Sequence, residues 1–199
     1  MATFEFMTTL SAIAIGLLIA PIGPPPTPAT PSRPSAAVAD SFVAVIANRV
    51  VLDIKAPAAL VWSFLPSIRK RPNMEKVPLN GVTDQVGARF DTIFRDSTGK
   101  VTRHDRLEIL HWEPGVRYAA NVSYLPPAPP LSIVYNVDMR ESGGVTHFVM
   151  DAYATVKLPD PGTAEGRLAA YTADQRQSQE STAKAYEGLK RDIEAAAKR

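Results

Sequence analysis

The segment RHDR, residues 103–106, sets a histidine and an aspartate side by side between two arginines. A histidine next to a carboxylate could supply the acid and the base for a proton transfer. The residues that follow alternate between polar and apolar types, which is typical of a strand, and neighbouring side chains of a strand point to opposite faces. His104 and Asp105 therefore cannot form a catalytic pair, and we expect His104 to be exposed to solvent.

Arg103 and Asp105 do share one face of this strand, and Leu107 and Ile109 continue it. This apolar parity predicts that the face points inward, where an unpaired charge is costly and a mutual ion pair is favoured. Two interpretations stay open. Either the strand end extends beyond the interior and both side chains are solvated, or Arg103 binds a carboxylate or enolate while Asp105 acts as acid and base or orients the arginine.

The rest of the sequence offers little further chemistry. Lys and Arg total 22 against 20 Asp and Glu, without a basic stripe, so we expect no nucleic acid partner. The absence of cysteine excludes a disulfide, a thiolate nucleophile and a Cys zinc site. The three histidines lack the spacing of metal ligands, and we expect neither a metal nor a cofactor. His111 is either an inward acid or base or the cap of a strand end.

The N-terminal part of the chain differs in composition from the rest. Residues 8–22 are uncharged and apolar, but shorter than the roughly 20 residues that span a bilayer and similar in length to the core of a signal peptide. We predict an export signal or membrane anchor over residues 1–22, a proline-rich linker over residues 23–40 and a folded domain over residues 41–199. The domain is then periplasmic or secreted, or else anchored to the membrane by residues 8–22. A packed segment at this end is the remaining alternative.

Hydrophobic periodicity predicts the elements of the folded part. Residues 42–54 alternate and are rich in β-branched side chains, which indicates a first strand. A short helix follows, with Pro57 in its first turn, and then a second short helix or turn around residues 67–72. Further strands are predicted over residues 76–82, 88–96, 100–113, 116–124, 131–141 and 145–158. The short Gly, Pro, Asp and Ser turns between them indicate an antiparallel meander.

Residues 163–197 contain no proline and predict one long helix. A stripe at steps of three and four runs along it from Leu168 to Ile193 and is apolar at both ends. The middle of the stripe is small and polar, and consists of Gln175, Ser178 and Thr182. Either this middle projects past the sheet into solvent, or it covers a cavity that holds water or a ligand.

Four segments carry a family resemblance. They are IKAPAALVWSFL at residues 54–65, NGVTDQVGARF at 80–90, LEILHWEPGVRYAANV at 107–122 and ESGGVTHFVMDA at 141–152. The chain resembles the START/Bet v 1-like (SRPBCC) superfamily, and most of all its bacterial polyketide cyclase/dehydrase and lipid-transport branch. The resemblance implies an α+β helix-grip fold, in which an antiparallel sheet of six or seven strands wraps around a long C-terminal helix and two short helices follow the first strand.

Within such a fold, strand parity and the helix stripe predict the residues that line a cavity. They are Phe90, Phe94, Ile109, Tyr118, Tyr135, Met139, Met150, Gln175, Ser178 and Thr182. We expect the cavity to bind or carry a hydrophobic or aromatic small molecule, with possible membrane association through the N-terminal segment. The alternative is a cofactor-independent cyclase or dehydratase that acts on a polyketide-like or aromatic substrate by acid/base chemistry. Its catalytic residues would be Arg103, Asp105 and Tyr118.

Overall fold

The computed structural model describes residues 40–65, 68, 73–126 and 131–199. Its elements are β1 (Ser41–Ile54), α1 (Ala58–Ser63), β2 (Met74–Pro78), β3 (Arg89–Arg95), β4 (Val101–Glu113), β5 (Arg117–Leu125), β6 (Leu131–Ser142), β7 (Val145–Pro159) and α2 (Ala164–Ala196). The predicted export signal or anchor and nearly all of the proline-rich linker lie outside the described residues. So does most of the second short helix or turn expected after α1.

The strands form one antiparallel sheet in the order β1-β7-β6-β5-β4-β3-β2. Consecutive strands from β2 to β7 are neighbours, and the connections from β4 to β5 and from β6 to β7 are tight turns. Gly115 between β4 and β5, and Gly143 and Gly144 between β6 and β7, all have a positive φ, which side chains other than glycine rarely adopt. The predicted helix-grip fold is thereby confirmed, with seven strands and a long C-terminal helix.

Helix α2 begins at Thr163, whose side chain accepts a hydrogen bond from the backbone N–H of Gly166. It packs mainly against the edge strand β1. Leu168, at the start of the predicted inner stripe, is 65% exposed, so this first residue of the stripe does not contribute to the core. No helix of the described segments combines the length and the apolarity that a membrane crossing needs.

One end of the domain, where β4 ends and β5 begins, is close-packed, and we call it the packed end. Trp62 of α1 meets Trp112 and Tyr118 there, with ring centroids 5.0 Å and 6.0 Å away. Ile193, near the end of α2, is buried in the same cluster. The opposite end, where β4 begins and β5 ends, contains the cavity described below, and we call it the cavity end.

A β-bulge on β4 changes the strand parity near the packed end. Ile109 pairs with Ala120 of β5, but His111 pairs with Ala119, so the residue between them lacks a partner in the ladder. Because one extra residue moves the following side chains to the other face, Trp112 points inward and His111 stays partly exposed on the outer face. The interpretation of His111 as an inward acid or base, which simple alternation from Ile109 would allow, is wrong for this reason.

A candidate ligand cavity

The cavity end encloses a cavity of about 140 Å³ between the inner face of the sheet and α2. Most of its wall is apolar and comes from alternate positions of the strands. Five aromatic rings contribute to this wall: Phe94, Tyr118, Tyr124, Tyr135 and Tyr186. The polar side chains of the wall are few: Asn48, Thr92, Arg103, Asp105, Asp174, Ser178 and Thr182.

Arg103 and Asp105 form an ion pair in this wall. Nε and Nη2 of Arg103 both donate to Oδ2 of Asp105, over 2.7 Å and 2.5 Å. The guanidinium also lies over Phe94, its cross-strand neighbour, at 4.3 Å from the ring centroid, and 5.3 Å from that of Tyr124. The side chain of Arg103 is 19% exposed and that of Asp105 is 5% exposed. The pair therefore lies inside the domain and is not a solvated strand end.

Burial raises the pKa of the Asp105 carboxyl above its ordinary value. The charge and the hydrogen bonds of Arg103 act in the opposite direction without cancelling the effect of burial. Burial also raises the pKa of Tyr124, which lies directly across from Asp105 on β5. The cavity end thus holds a carboxyl that keeps its proton at a higher pH than a solvated aspartate would.

The polar middle of α2 faces this cavity and does not project into solvent. Ser178 and Thr182 are almost fully buried, at 2% and 4% exposure. Asn48 of β1 donates a 2.8 Å hydrogen bond from Nδ2 to Oγ of Ser178. Helix and edge strand are thereby connected across the top of the cavity through polar groups.

Gln175 does not line the cavity, which corrects the prediction made for it. Its side-chain amide accepts from the backbone N–H of Ala47 and donates to the carbonyl of the same residue, so it occupies the unpaired edge of β1. Asp174 lines the cavity in its place, and burial raises the pKa of that carboxyl. The sequence does indicate Asp174 as a lining residue, because Asp174, Ser178, Thr182 and Tyr186 follow one another at steps of four residues on one helical face.

The other predicted lining residues divide between the two ends of the domain. Phe94, Tyr118, Tyr135 and Met150 lie on the cavity wall. Phe90, Ile109 and Met139 do not: they are buried in the close-packed cluster toward the packed end. Parity placed them correctly on the inner face, but it does not state how far along the strand the cavity extends. Asn48, a polar residue at an inward position of β1, was missed although its parity with Ile46 and Val50 could have indicated it.

His104 lies on the outer face, as the alternation predicts, but it is only 26% exposed and therefore less solvated than expected. Its Nε2 is 3.0 Å from Oδ2 of Asp91. Arg106, directly across from Asp91, donates to both oxygens of this carboxylate over 2.9 Å and 3.1 Å. The hydrogen bonds from Arg106 lower the pKa of Asp91. The described residues contain no group of three His, Asp or Glu side chains placed to hold a metal ion.

Comparisons with known proteins support the fold. No protein-family model and no curated protein matches the sequence. Among solved structures, a Staphylococcus aureus protein of unknown function, SA2116, is similar with a TM-score of 0.57 and 10% identity, over 80% of this chain and 99% of that one. Ara h 8.0201 gives a TM-score of 0.47 and 12% identity over 75% and 98%. DynU16, a putative protein of the dynemicin biosynthetic locus, gives 0.39 and 19% over 65% and 46%. At such identities a likeness concerns the fold alone.

Proposed function

We propose that this chain, which has the helix-grip fold of START/Bet v 1-like proteins, binds or carries a small hydrophobic or aromatic molecule in the cavity. The observation that carries the proposal is the cavity itself, about 140 Å³ of space inside a wall of rings and aliphatic side chains. An engineered apolar cavity of about 150 Å³ in another protein binds benzene. The space is therefore sufficient for a molecule built on one ring.

The energetic cost of the cavity supports a role for it. Unfilled core volume costs on the order of 24 cal/mol per Å³, so an empty and closed cavity of 140 Å³ would lower the free energy of unfolding by up to about 3 kcal/mol relative to a filled core. The packed end of the same domain shows that this sequence can fill its interior with large rings. A ligand that occupies the cavity end would recover part of this loss when it binds.

Filling the cavity tests the proposal. Ala152 of β7 lines it, and Ala152→Leu puts three more carbon atoms into the free space without removing a hydrogen bond. We expect the variant to bind toluene and phenol at least about tenfold more weakly than the unaltered protein, in titrations followed by protein NMR. The free energy of unfolding should change by less than about 1 kcal/mol, because the new side chain enters existing space.

The matched control is Ala173→Leu, which makes the same substitution on the exposed face of α2. It should leave the binding of both probes unchanged. If Ala152→Leu binds both probes as tightly as the unaltered protein does, or loses the 1–3 kcal/mol typical of an overpacked core, the proposed use of this cavity is wrong. Failure of the unaltered protein to bind any small aromatic molecule would equally contradict it.

A second candidate function is acid/base catalysis on an aromatic or polyketide-like substrate. One observation favours it: the Asp105 carboxyl, with its raised pKa, lies in the cavity wall beside Arg103. Exchange of the methyl protons of acetophenone in D₂O, followed by NMR, would detect proton transfer next to a carbonyl without knowledge of the natural substrate. The enzyme hypothesis requires exchange above the level seen with Asp105→Asn, and an equal rate in both proteins would contradict it.

The place of action stays a separate prediction. An export signal or an anchor in residues 1–22 would put the domain outside the cytoplasm, either free or held at a membrane. Fractionation of cells that express the full chain, with detection of the domain in the periplasmic, membrane and cytoplasmic fractions, would test it. Recovery of the domain from the cytoplasmic fraction alone would contradict this prediction and leave the proposed ligand binding unaffected.

A further inference from the structure

We propose that the ligand of this cavity carries a hydrogen-bond donor, a hydroxyl or amino group on a single-ring body, and that the carboxylate of Asp105 is the acceptor that selects it. The inference rests on the proposed function and names the ligand class of the same site. It comes from two polar atoms of the wall that have no hydrogen-bond partner among the described residues, from the charges around them and from the size of the cavity.

Two buried oxygen atoms of wall residues have no hydrogen-bond partner among the described residues: Oδ1 of Asp105 and Oδ1 of Asn48. Both belong to side chains that are more than nine-tenths buried. The other oxygen of Asp105, Oδ2, already accepts a hydrogen bond from Arg103, and Nδ2 of Asn48 already donates one to Ser178. Because a buried acceptor without a partner costs free energy, a ligand that brings an N–H or O–H group gains a contact that a pure hydrocarbon lacks.

The charges of the wall favour a neutral or cationic donor over an anionic ligand. Arg103 is paired with Asp105 and lies between two aromatic rings, so an anion could use its charge only by competing with Asp105. Asp174 is the other ionisable acid of the described wall, and it brings a further negative charge when ionised. The faces of the aromatic rings are also electron-rich and accept cations. An acidic ligand, such as a benzoate, would meet repulsion here.

The size of the cavity limits the body that carries the donor. At about 140 Å³ the space fits one ring with a small substituent. Phenol and benzylamine therefore serve as probes that present a hydroxyl and an ammonium group. Toluene has a similar shape but no polar group, and benzaldehyde offers only an acceptor. These four molecules separate the effect of the donor from the effect of the ring.

The substitution Asp105→Asn should exchange the acceptor for a donor. Both hydrogen bonds from Arg103 go to Oδ2, and an asparagine must keep its carbonyl oxygen there, because its NH₂ group cannot accept from a guanidinium. The NH₂ group then takes the position of Oδ1 and points a donor where the acceptor was. The size of the side chain and its bonds to Arg103 are preserved, so the fold is kept.

The experiment is titration of the four probes into the unaltered protein and into Asp105→Asn. We expect the unaltered protein to bind phenol or benzylamine at least about tenfold more tightly than toluene and benzaldehyde, since a hydrogen bond to a charged group contributes this much. In Asp105→Asn, benzylamine should lose most of its advantage and benzaldehyde should become the tighter ligand of the two. Which of phenol and benzylamine binds more tightly distinguishes a hydroxyl ligand from an amine.

The control is Asp138→Asn, which removes a carboxylate from a partly exposed pair with Arg117 and leaves the cavity wall intact. It should preserve the order of the four probes. If the unaltered protein binds toluene as tightly as phenol and benzylamine, the inference is overturned while the proposed function stands. It is also overturned if Asp105→Asn weakens all four probes alike. Absence of binding for every probe overturns the proposed function together with the inference.

Discussion

Two pairs of an aspartate and an arginine lie on β3 and β4, one on the outer face of the sheet and one on the inner face. The outer pair joins Asp91 to Arg106, and the carboxylate takes two hydrogen bonds from the guanidinium while His104 approaches it. The inner pair joins Asp105 to Arg103, and only one of the two carboxylate oxygens receives a hydrogen bond in the described structure. The same two residue types thus form a saturated pair outside and an unsaturated pair inside.

The pKa values of the two carboxyls record this difference. Hydrogen bonds from a partly exposed arginine lower the pKa of Asp91, whereas burial raises the pKa of Asp105 in spite of its arginine. A saturated pair on the outer face of the sheet is a structural feature that connects two strands to each other. An unsaturated pair inside a cavity is costly to the fold and available to a ligand. The face of the strand therefore decides which of the two arginine–aspartate pairs offers chemistry.

The largest expected effect is a difference in stability loss when each of the two arginines is replaced. Arg103→Met keeps an apolar stem against the rings of Phe94 and Tyr124 but leaves the Asp105 carboxylate buried without its cation. We expect the free energy of unfolding at pH 7 to fall by about 3 kcal/mol, and by less at pH 4, where the carboxyl takes up a proton. The measurement is urea denaturation at both pH values.

The matched substitution on the outer face, Arg106→Met, should lower the urea midpoint by much less at pH 7. Its side chain is about half exposed, and Asp91, although its own side chain is only 12% exposed, keeps His104 at 3.0 Å. Equal losses for Arg103→Met and Arg106→Met would contradict the distinction between the inner and the outer pair.

The second expected effect is that the stability contributions of the two carboxyls depend on pH with opposite signs. For Asp105, whose pKa is raised by folding, the stabilisation is complete below the ordinary value of 3.8 and is lost as the pH rises through the folded-state pKa. For Asp91, whose pKa is lowered, the stabilisation is present above 3.8 and is lost as the pH falls. Relative to the unaltered protein, Asp105→Asn should therefore gain stability as the pH rises above 3.8.

Asp91→Asn provides the comparison, because its stability deficit should shrink as the pH falls below 3.8. Urea denaturation of the two variants and the unaltered protein across the acid range gives, for each variant, the slope of its stability difference from the unaltered protein against pH. Slopes of the same sign would show that burial does not govern the inner carboxyl.

The sequence was sufficient for the fold and for the inward face of most strand positions. Strand alternation correctly separated Arg103 and Asp105 from His104, and the turn residues predicted the antiparallel meander. It was insufficient wherever position along a strand matters. The bulge before His111 reverses parity without a sequence signal, and Met139 shares a face with cavity residues although it is buried in the cluster that includes Val61 and Trp62 of α1. The boundary between the cavity and the close-packed core depends on how α1 and α2 pack across the sheet. The periodicity within one strand carries no information about this packing.

The smallest effect concerns the residue that first suggested catalysis. His104→Gln keeps a polar side chain on the outer face and removes only one of the groups that approach Asp91, since both hydrogen bonds from Arg106 stay in place. The free energy of unfolding should change by less than about 1 kcal/mol. The affinities for phenol and benzylamine should not change at all, because the sheet lies between this imidazole and the cavity wall. A loss of probe binding, or of any acetophenone exchange, in His104→Gln would mean that the two faces communicate, and the separation of an outer structural pair from an inner ligand-binding pair would then fail.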